Sequence, residues 1–215
     1  MFNKEILKLY FICGTTTCNN KNLIEVVEEA LRGGITSFQF REKGDGALVG
    51  FQKEELAKKI QELCKIYQVP FIINDDIELA IKLDADGVHV GQEDADVEKI
   101  RKLLPNKIIG LSVGNEEELR KSKIEFVDYI GVGPVHSTIS KSDAGGAIGY
   151  KGIKKMRKLV PNIPIVAIGG ITKEDIRSIA AIGVEGVSII SAISYSEHIK
   201  QTVEQMINEY KIYVE

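Results

Sequence analysis

The stretch from Phe71 to Asp94 places the tightest limit on what this chain can fold into. Two apolar runs of strand length, Phe71-Ile72-Ile73 and Val88-His89-Val90, flank about a dozen residues in which Ile77, Leu79, Ala80 and Leu83 recur at helical spacing. A connection of that length is too long for a hairpin and suits a right-handed crossover between parallel strands. The first run ends in Asn74-Asp75-Asp76 and the second leads into Glu93-Asp94, so Asp75 and Asp94 are expected at the same end of a parallel sheet. Two carboxylates converging there can hold a hard divalent cation such as Mg2+.

The same alternation runs along the whole chain. Strands are expected at Leu7 to Cys13, Ile35 to Arg41, two within Phe71 to Val90, Ile108 to Ser112, Val127 to Gly133, Ile163 to Gly169 and Gly186 to Ile190. Helices are expected at Leu23 to Leu31 after the Asn19-Asn20-Lys21-Asn22 turn, at about Gln52 to Tyr67, and at Asp96 to Leu104. Further helices follow from Asn115 to near Lys123, at Gly152 to Val160, from the Thr172 cap to Ile182-Gly183, and at about Ser196 to Tyr210. Eight strand-then-helix units in strict order predict an α/β fold of one domain spanning residues 1–215, a closed (β/α)8 TIM barrel. A doubly wound open sheet is the alternative. The junctions Gly34-Ile35-Thr36-Ser37-Phe38, Asp86-Gly87-Val88-His89-Val90, Asp128-Tyr129-Ile130-Gly131-Val132 and Glu185-Gly186-Val187-Ser188-Ile189 echo one another, as expected of a barrel assembled from repeated pieces.

Composition narrows the setting. With 215 residues and 44% hydrophobic content the chain can build one sizeable core, and a net charge of -3 gives no general attraction to nucleic acid or anionic membrane. The three cysteines, Cys13, Cys18 and Cys64, form no C-x-x-C pair, which points to a reducing cytoplasm; a metal site on Cys13 and Cys18 has no other Cys or His at ligand spacing. Lys4, Glu5 and Lys8 interrupt the N-terminal apolar run as no signal peptide would, and the longest later run, Ile163 to Ile171, falls short of the roughly 20 residues of a membrane helix.

A barrel of this kind carries its chemistry at the C-terminal strand ends. Strand two ends Gln39-Phe40-Arg41-Glu42-Lys43, where period two sets an amide and two cations, Gln39, Arg41 and Lys43, on one face for an anionic ligand. Asn74, Asp75 and Asp94 face them from strands three and four, with Asp76 and Glu93 as spare carboxylates. Cations opposite acids suit a metal-bound diphosphate. Ser112 ends strand five. The long loop from Pro134 to about Gly149 offers Thr138, Ser140 and Lys141, and Gly169-Gly170 with Ile190-Ser191 lies where such barrels commonly bind a phosphate monoester. The site therefore reads as one for two phosphorylated small molecules.

These segments resemble the thiamine phosphate synthase family along essentially the whole chain. Gln39 to Lys43, Ile73-Asn74-Asp75, Asp86 to Asp94, Gly131-Val132-Gly133-Pro134, Thr138-Ile139-Ser140-Lys141 and Ala167 to Ile171 match its motifs in its order. The resemblance implies that 4-amino-2-methyl-5-hydroxymethylpyrimidine diphosphate binds through Gln39, Phe40, Arg41, Glu42, Lys43, Asn74, Ser112 and Lys141. It assigns Mg2+ to Asp75 and Asp94, and thiazole phosphate to Thr138, Ile139, Ser140, Gly170, Ile190 and Ser191. It casts Arg41, Lys43, Ser112 and Lys141 as the catalytic groups of a transferase. One departure stands out: His136-Ser137 occupies the place of an aromatic residue and proline, and Ser140 that of a threonine. His89 is expected to pack in the barrel and His198 to lie on a helix surface.

Two other readings compete. A thiazole tautomerase shares the barrel and would use a histidine in the strand-six loop, here His136; a non-catalytic sensor of phosphorylated thiamine precursors would not need both carboxylates and Lys141. Oligomeric state, a homo-oligomer included, is left open.

Overall fold

The computed structural model describes residues 2–92, 96–138 and 145–214, with side chains through Tyr210. Eight parallel strands close in sequence order into a barrel: β1 (Leu9–Cys13), β2 (Ser37–Phe40), β3 (Phe71–Asn74), β4 (Gly87–Val90), β5 (Ile108–Val113), β6 (Tyr129–Val132), β7 (Ile165–Ile168) and β8 (Gly186–Ile189). The seam between β1 and β8 is in register at Leu9 with Val187 and Tyr10 with Ser188. Closure removes the open-sheet alternative, because no strand is left with an unpaired edge.

The helices that return the chain are α1 (Leu23–Gly33), α2 (Gly50–Ile66), α3 (Ile77–Lys82), α4 (Val97–Leu103), α5 (Glu116–Lys121), α6 (Gly149–Leu159) and α7 (Ile176–Ala180). Four of these seven starts carry a side-chain cap, while α7, expected to start from Thr172, begins at Ile176 without one. Asn22, Asp76, Asp96 and Asn115 each accept a hydrogen bond from a backbone N–H of the first turn, filling one of the donors a helix start leaves open. After β8 come α8 (Ser191–Ser194), which periodicity could not flag in four residues, and α9 (Ile199–Val214), which packs against α1 and α7.

Strand alternation divides the apolar residues into two cores. Leu9, Phe11, Phe38, Phe40, Phe71, Ile73 and their equivalents point outward into the layer beneath the helices. Tyr10, Ile12, Ile72, Tyr129 and Val166 point inward and fill the barrel. Phe40 stacks on Phe71 at 6.3 Å between ring centres, in the outer layer.

The echo among the even-numbered strands has a physical cause. The residue just before each of them turns its side chain onto a backbone N–H at the start of the preceding odd strand. Thr36 Oγ1 accepts from Leu9 N at 2.9 Å, Asp86 Oδ2 from Phe71 N at 2.8 Å, Asp128 Oδ2 from Ile109 N at 2.8 Å and Glu185 Oε2 from Ile165 N at 2.7 Å. Two of these carboxylates also brace a helix to the barrel floor, Asp128 through Arg101 of α4 at 2.7 Å and Glu185 through Arg157 of α6 at 3.0 Å. Each quarter of the barrel thus carries the same staple, and three of the four are anionic acceptors, which make the stronger kind of hydrogen bond.

Removing one staple strands a backbone donor. Asp128→Ala is expected to lower unfolding free energy by about 1–3 kcal/mol in urea titration, with a smaller loss for Asp128→Asn, which keeps an acceptor. Equal losses for the two variants would show that the acceptor is not what stabilises the junction.

Candidate active site

At the C-terminal ends of the strands the barrel opens into a cavity of about 660 Å3, within the range that takes small-molecule ligands. Gln39, Arg41 and Lys43 all line it, on the inward parity of β2 and its extension. Arg41 is only 8% exposed, and its backbone N–H donates to the Cys13 carbonyl at 2.9 Å, so the β1–β2 ladder continues one residue past the strand and fixes the guanidinium root. The two residues between them behave differently. The Phe40 side chain belongs to the outer core, and the Glu42 carboxylate is buried against the neighbouring loops, accepting from Thr15 N at 2.9 Å, from the Thr15 hydroxyl and from Leu48 N at 2.8 Å. Their side chains hold the strand-two loop in shape and are not among those that line the cavity.

Asn74 lines the cavity at the end of β3. Asp75, next to it, takes a left-handed backbone conformation (φ 60°) that Asp tolerates better than most residues, and its N–H donates to the His89 carbonyl at 2.9 Å. Its carboxylate meets the Lys43 ammonium at 2.6 Å. Asp76 is not spare: it caps α3 and pairs with Lys53 at 2.6 Å. Burial works to raise its carboxyl, but Lys53 and the Leu79 N–H hold it below the usual carboxylate range.

Ser112, Thr138, Gly170, Ile190 and Ser191 line the same cavity. At Gly169 and Gly170 the backbone has φ of 101° and 63°, and a Cβ on Gly170 would come within 2.9 Å of the His136 Cβ. Only glycine permits that turn and that approach. Glu93, Asp94, Ile139, Ser140 and Lys141 lie outside the described residues. Among the described residues no group of three or more His, Cys, Asp or Glu side chains is gathered for a metal. Cys13 and Cys18 are buried free thiols, and burial pushes Cys13 up to about 12, away from the thiolate a metal would need. No described helix is long and apolar enough to cross a membrane.

A model of the family described as thiamine monophosphate synthase matches residues 9–193. The chain belongs to the thiamine monophosphate synthase family. Thiamine-phosphate synthase 1 of Streptococcus pneumoniae is 66% identical over 206 residues, covering 96% of this chain and 99% of that one. Thiamine-phosphate synthase of Staphylococcus saprophyticus is 56% identical over 150 residues, covering 69% of this chain and 71% of that one. Among solved structures, thiamine phosphate pyrophosphorylase from Pyrococcus furiosus superposes with a TM-score of 0.86 at 33% identity, covering 99% of both chains.

Two tyrosines at the site, Tyr10 and Tyr129, carry no signal in that family's motifs as read from the sequence. Tyr10, Tyr129 and His89 form a buried polar chain below the cavity. Their inward strand parity was the available signal, but it does not say that they meet. His89 is packed in the barrel as expected, and it also bonds Ser112. His198 is exposed on α9's approach.

His136, the departure from the family pattern, is not among the residues that line the cavity. Its Nε2 meets Asp175 Oδ1 at 3.0 Å, its ring sits edge-on to Tyr150, and the Tyr150 hydroxyl donates to the same carboxylate oxygen. The group ties the end of β6 and the start of α6 to the loop after β7.

Burial works to raise the Asp175 carboxyl, but the Tyr150 hydroxyl, the Thr172 N–H and the His136 ring together hold it below the usual carboxylate range. A folded-state value below the unfolded one, about 3.9, means that the contact stabilises fully above that pH and is lost as pH falls through the folded value. The gap in melting temperature between wild type and Asp175→Asn is therefore expected to be widest near neutrality and to close below about pH 4. A gap that persists unchanged in acid would overturn the assignment.

Proposed function

We propose that this chain is a cytoplasmic transferase that condenses 4-amino-2-methyl-5-hydroxymethylpyrimidine diphosphate with thiazole phosphate, giving thiamine phosphate and diphosphate. The observation that carries this reading is that one cavity is lined at once by Gln39, Arg41, Lys43, Asn74 and Ser112 from β2, β3 and β5, and by Thr138, Gly170, Ile190 and Ser191 from the strand-six to strand-eight side. Two anion-binding sets sharing one cavity suit two phosphorylated substrates that must meet.

The chemistry asks little covalent work of the protein. The methylene carbon–oxygen bond of the pyrimidine substrate breaks, and its electron pair leaves with the diphosphate. The pyrimidine amino group feeds density to the cationic methylene, and the thiazole nitrogen lone pair forms the new carbon–nitrogen bond. Arg41 and Lys43 neutralise the charge that grows on the departing diphosphate, Ser112 donates a hydrogen bond to it, and Lys141 adds a further cation. Preorganised donors of this type each contribute roughly 10²- to 10³-fold in rate. The thiazole side, from Thr138 to Ser140 with Gly170, Ile190 and Ser191, holds the nucleophile beside the cation, so that the second step is governed by positioning.

The donor set fits Mg2+. Asp75 follows the cavity-lining Asn74 and its carboxylate pairs with the cavity-lining Lys43, and hard cations that act on diphosphates need only one or two protein carboxylates. Asp75 and Asp94 would hold the ion, which when bound supplies positive charge to the diphosphate oxygens.

Purified protein supplied with both precursors and Mg2+ is expected to form thiamine phosphate. Omission of Mg2+ or Asp94→Ala should abolish product, and Arg41→Met should lower kcat by about 10²- to 10³-fold. Metal-independent isomerisation of the thiazole precursor without condensation would transfer the assignment to the tautomerase.

A further inference from the structure

Below the cavity, five side chains form an unbroken hydrogen-bonded chain across the barrel. Gln39 Nε2 donates to the Tyr10 hydroxyl at 2.9 Å, the Tyr10 and Tyr129 hydroxyls are 2.9 Å apart, Tyr129 lies 2.9 Å from His89 Nδ1, and His89 Nε2 lies 2.9 Å from Ser112 Oγ. Both tyrosines are 1% exposed. The barrel makes room for them by omitting side chains: a Cβ on Gly110 would sit 2.2 Å from Tyr129 Cζ and 2.5 Å from His89 Nδ1. Only the two ends of the chain, Gln39 and Ser112, belong to the substrate-binding set inferred from the sequence, although His89 also borders the cavity.

Counting protons gives the chain a direction. Burial raises both phenols far above their ordinary range, so each hydroxyl keeps the single proton it can donate. Tyr10 accepts from Gln39, so its proton goes to Tyr129; the reverse would leave a buried hydroxyl proton without an acceptor, a costly arrangement. Tyr129 then donates to His89 Nδ1. A neutral imidazole that accepts at Nδ1 carries its proton on Nε2 and donates to Ser112 Oγ. The Ser112 proton is thereby left to point into the cavity. Turning the Gln39 amide over would reverse every bond, make Ser112 donate to His89, and leave serine lone pairs facing an anion.

We propose that Tyr10, Tyr129 and His89 are positioning residues that couple the two ends of the cavity, so that Ser112 faces the ligand as a donor and the Gln39 carbonyl oxygen faces it as an acceptor. The ligand chemistry this selects is an N–H donor on the Gln39 side together with an anionic oxygen on the Ser112 side. On the function proposed above, these are the amino group and the diphosphate of one substrate, and the proposal rests on that reading for the ligand only. The pyrimidine amino hydrogens meet a carbonyl, and the leaving group meets a hydroxyl whose orientation is already fixed before binding. Preorganisation of this kind costs no rearrangement during the reaction.

The direction can be read without turnover. In protein labelled with nitrogen-15 at histidine, His89 is expected to show a neutral ring protonated at Nε2 with Nδ1 accepting, assigned among the three histidines by comparison with His136→Gln and His198→Gln. A ring protonated at Nδ1, or at both nitrogens, near neutral pH overturns the proposal. Kinetics supply the second arm. Tyr129→Phe keeps the ring and removes the hydroxyl, and should lower kcat/KM for the pyrimidine diphosphate by about ten- to a hundredfold while the KM for thiazole phosphate holds. Combined with Ser112→Ala, it should cost less than the product of the two single losses, since Tyr129 acts in part through the Ser112 hydroxyl. Multiplicative losses, or an equal rise in both KM values, would mark Tyr129 as merely structural and end the proposal. If the tautomer is as expected but no thiamine phosphate forms, the chain stands and the choice of ligand falls.

Discussion

A parallel sheet that closes on itself leaves no edge and sends every strand out through the same end, and the remaining features of this protein depend on that constraint. Because β1 to β8 are all parallel and pair in sequence order, eight strand C-termini surround one opening. Residues far apart in the chain, such as Arg41, Ser112 and Ser191, line one cavity without any long loop to bring them there. The same closure fills the interior with inward-facing side chains, so a polar group placed there has to find its partner across the barrel.

The two ends of the barrel divide stability and chemistry between them. At the entry ends of the strands, Thr36, Asp86, Asp128 and Glu185 spend their acceptors on backbone N–H groups, and Arg101 and Arg157 are committed to two of the same carboxylates. Those charges are neutralised locally and are not available to a ligand. At the exit ends the glycines at 169 and 170 and the cations of β2 leave donors facing a cavity. Glu42 shows how sharply this division is drawn: one residue from Arg41 and Lys43, it faces the opposite way and fastens the loops that carry them.

Period-two alternation made the inward set of β2 legible, since Gln39, Arg41 and Lys43 differ from Phe40 and Glu42 by parity alone. The family motif, read as a continuous run, blurred that distinction; the strand geometry restores it. The eight-unit alternation likewise carried the fold, because each unit needs only local pattern to be recognised. The boundaries were less legible. Thr36 fits the strand pattern yet serves as a staple, and α8 is too short to impose a period. The buried chain from Gln39 to Ser112 could not be read at all, because its members come from β1, β2, β4, β5 and β6 and only the closed barrel brings them together.

On the function proposed above, a substitution that proceeds through departure of a stabilised leaving group also accounts for an interior in which both tyrosines keep their protons. No buried nucleophile is required, so there is no need to lower a pKa at the barrel floor, and both buried tyrosines are in fact raised. Neutral donors and acceptors are better suited to this task than charges would be. A charge buried at that depth would need its own partner and would compete with the ligand for Arg41 and Lys43. A neutral chain imposes orientation at the cost only of fixing a few hydroxyl rotors. Lys43 and Asp75 pair with one another beside the cavity, and the hydrogen-bonded chain of the interior supplies direction.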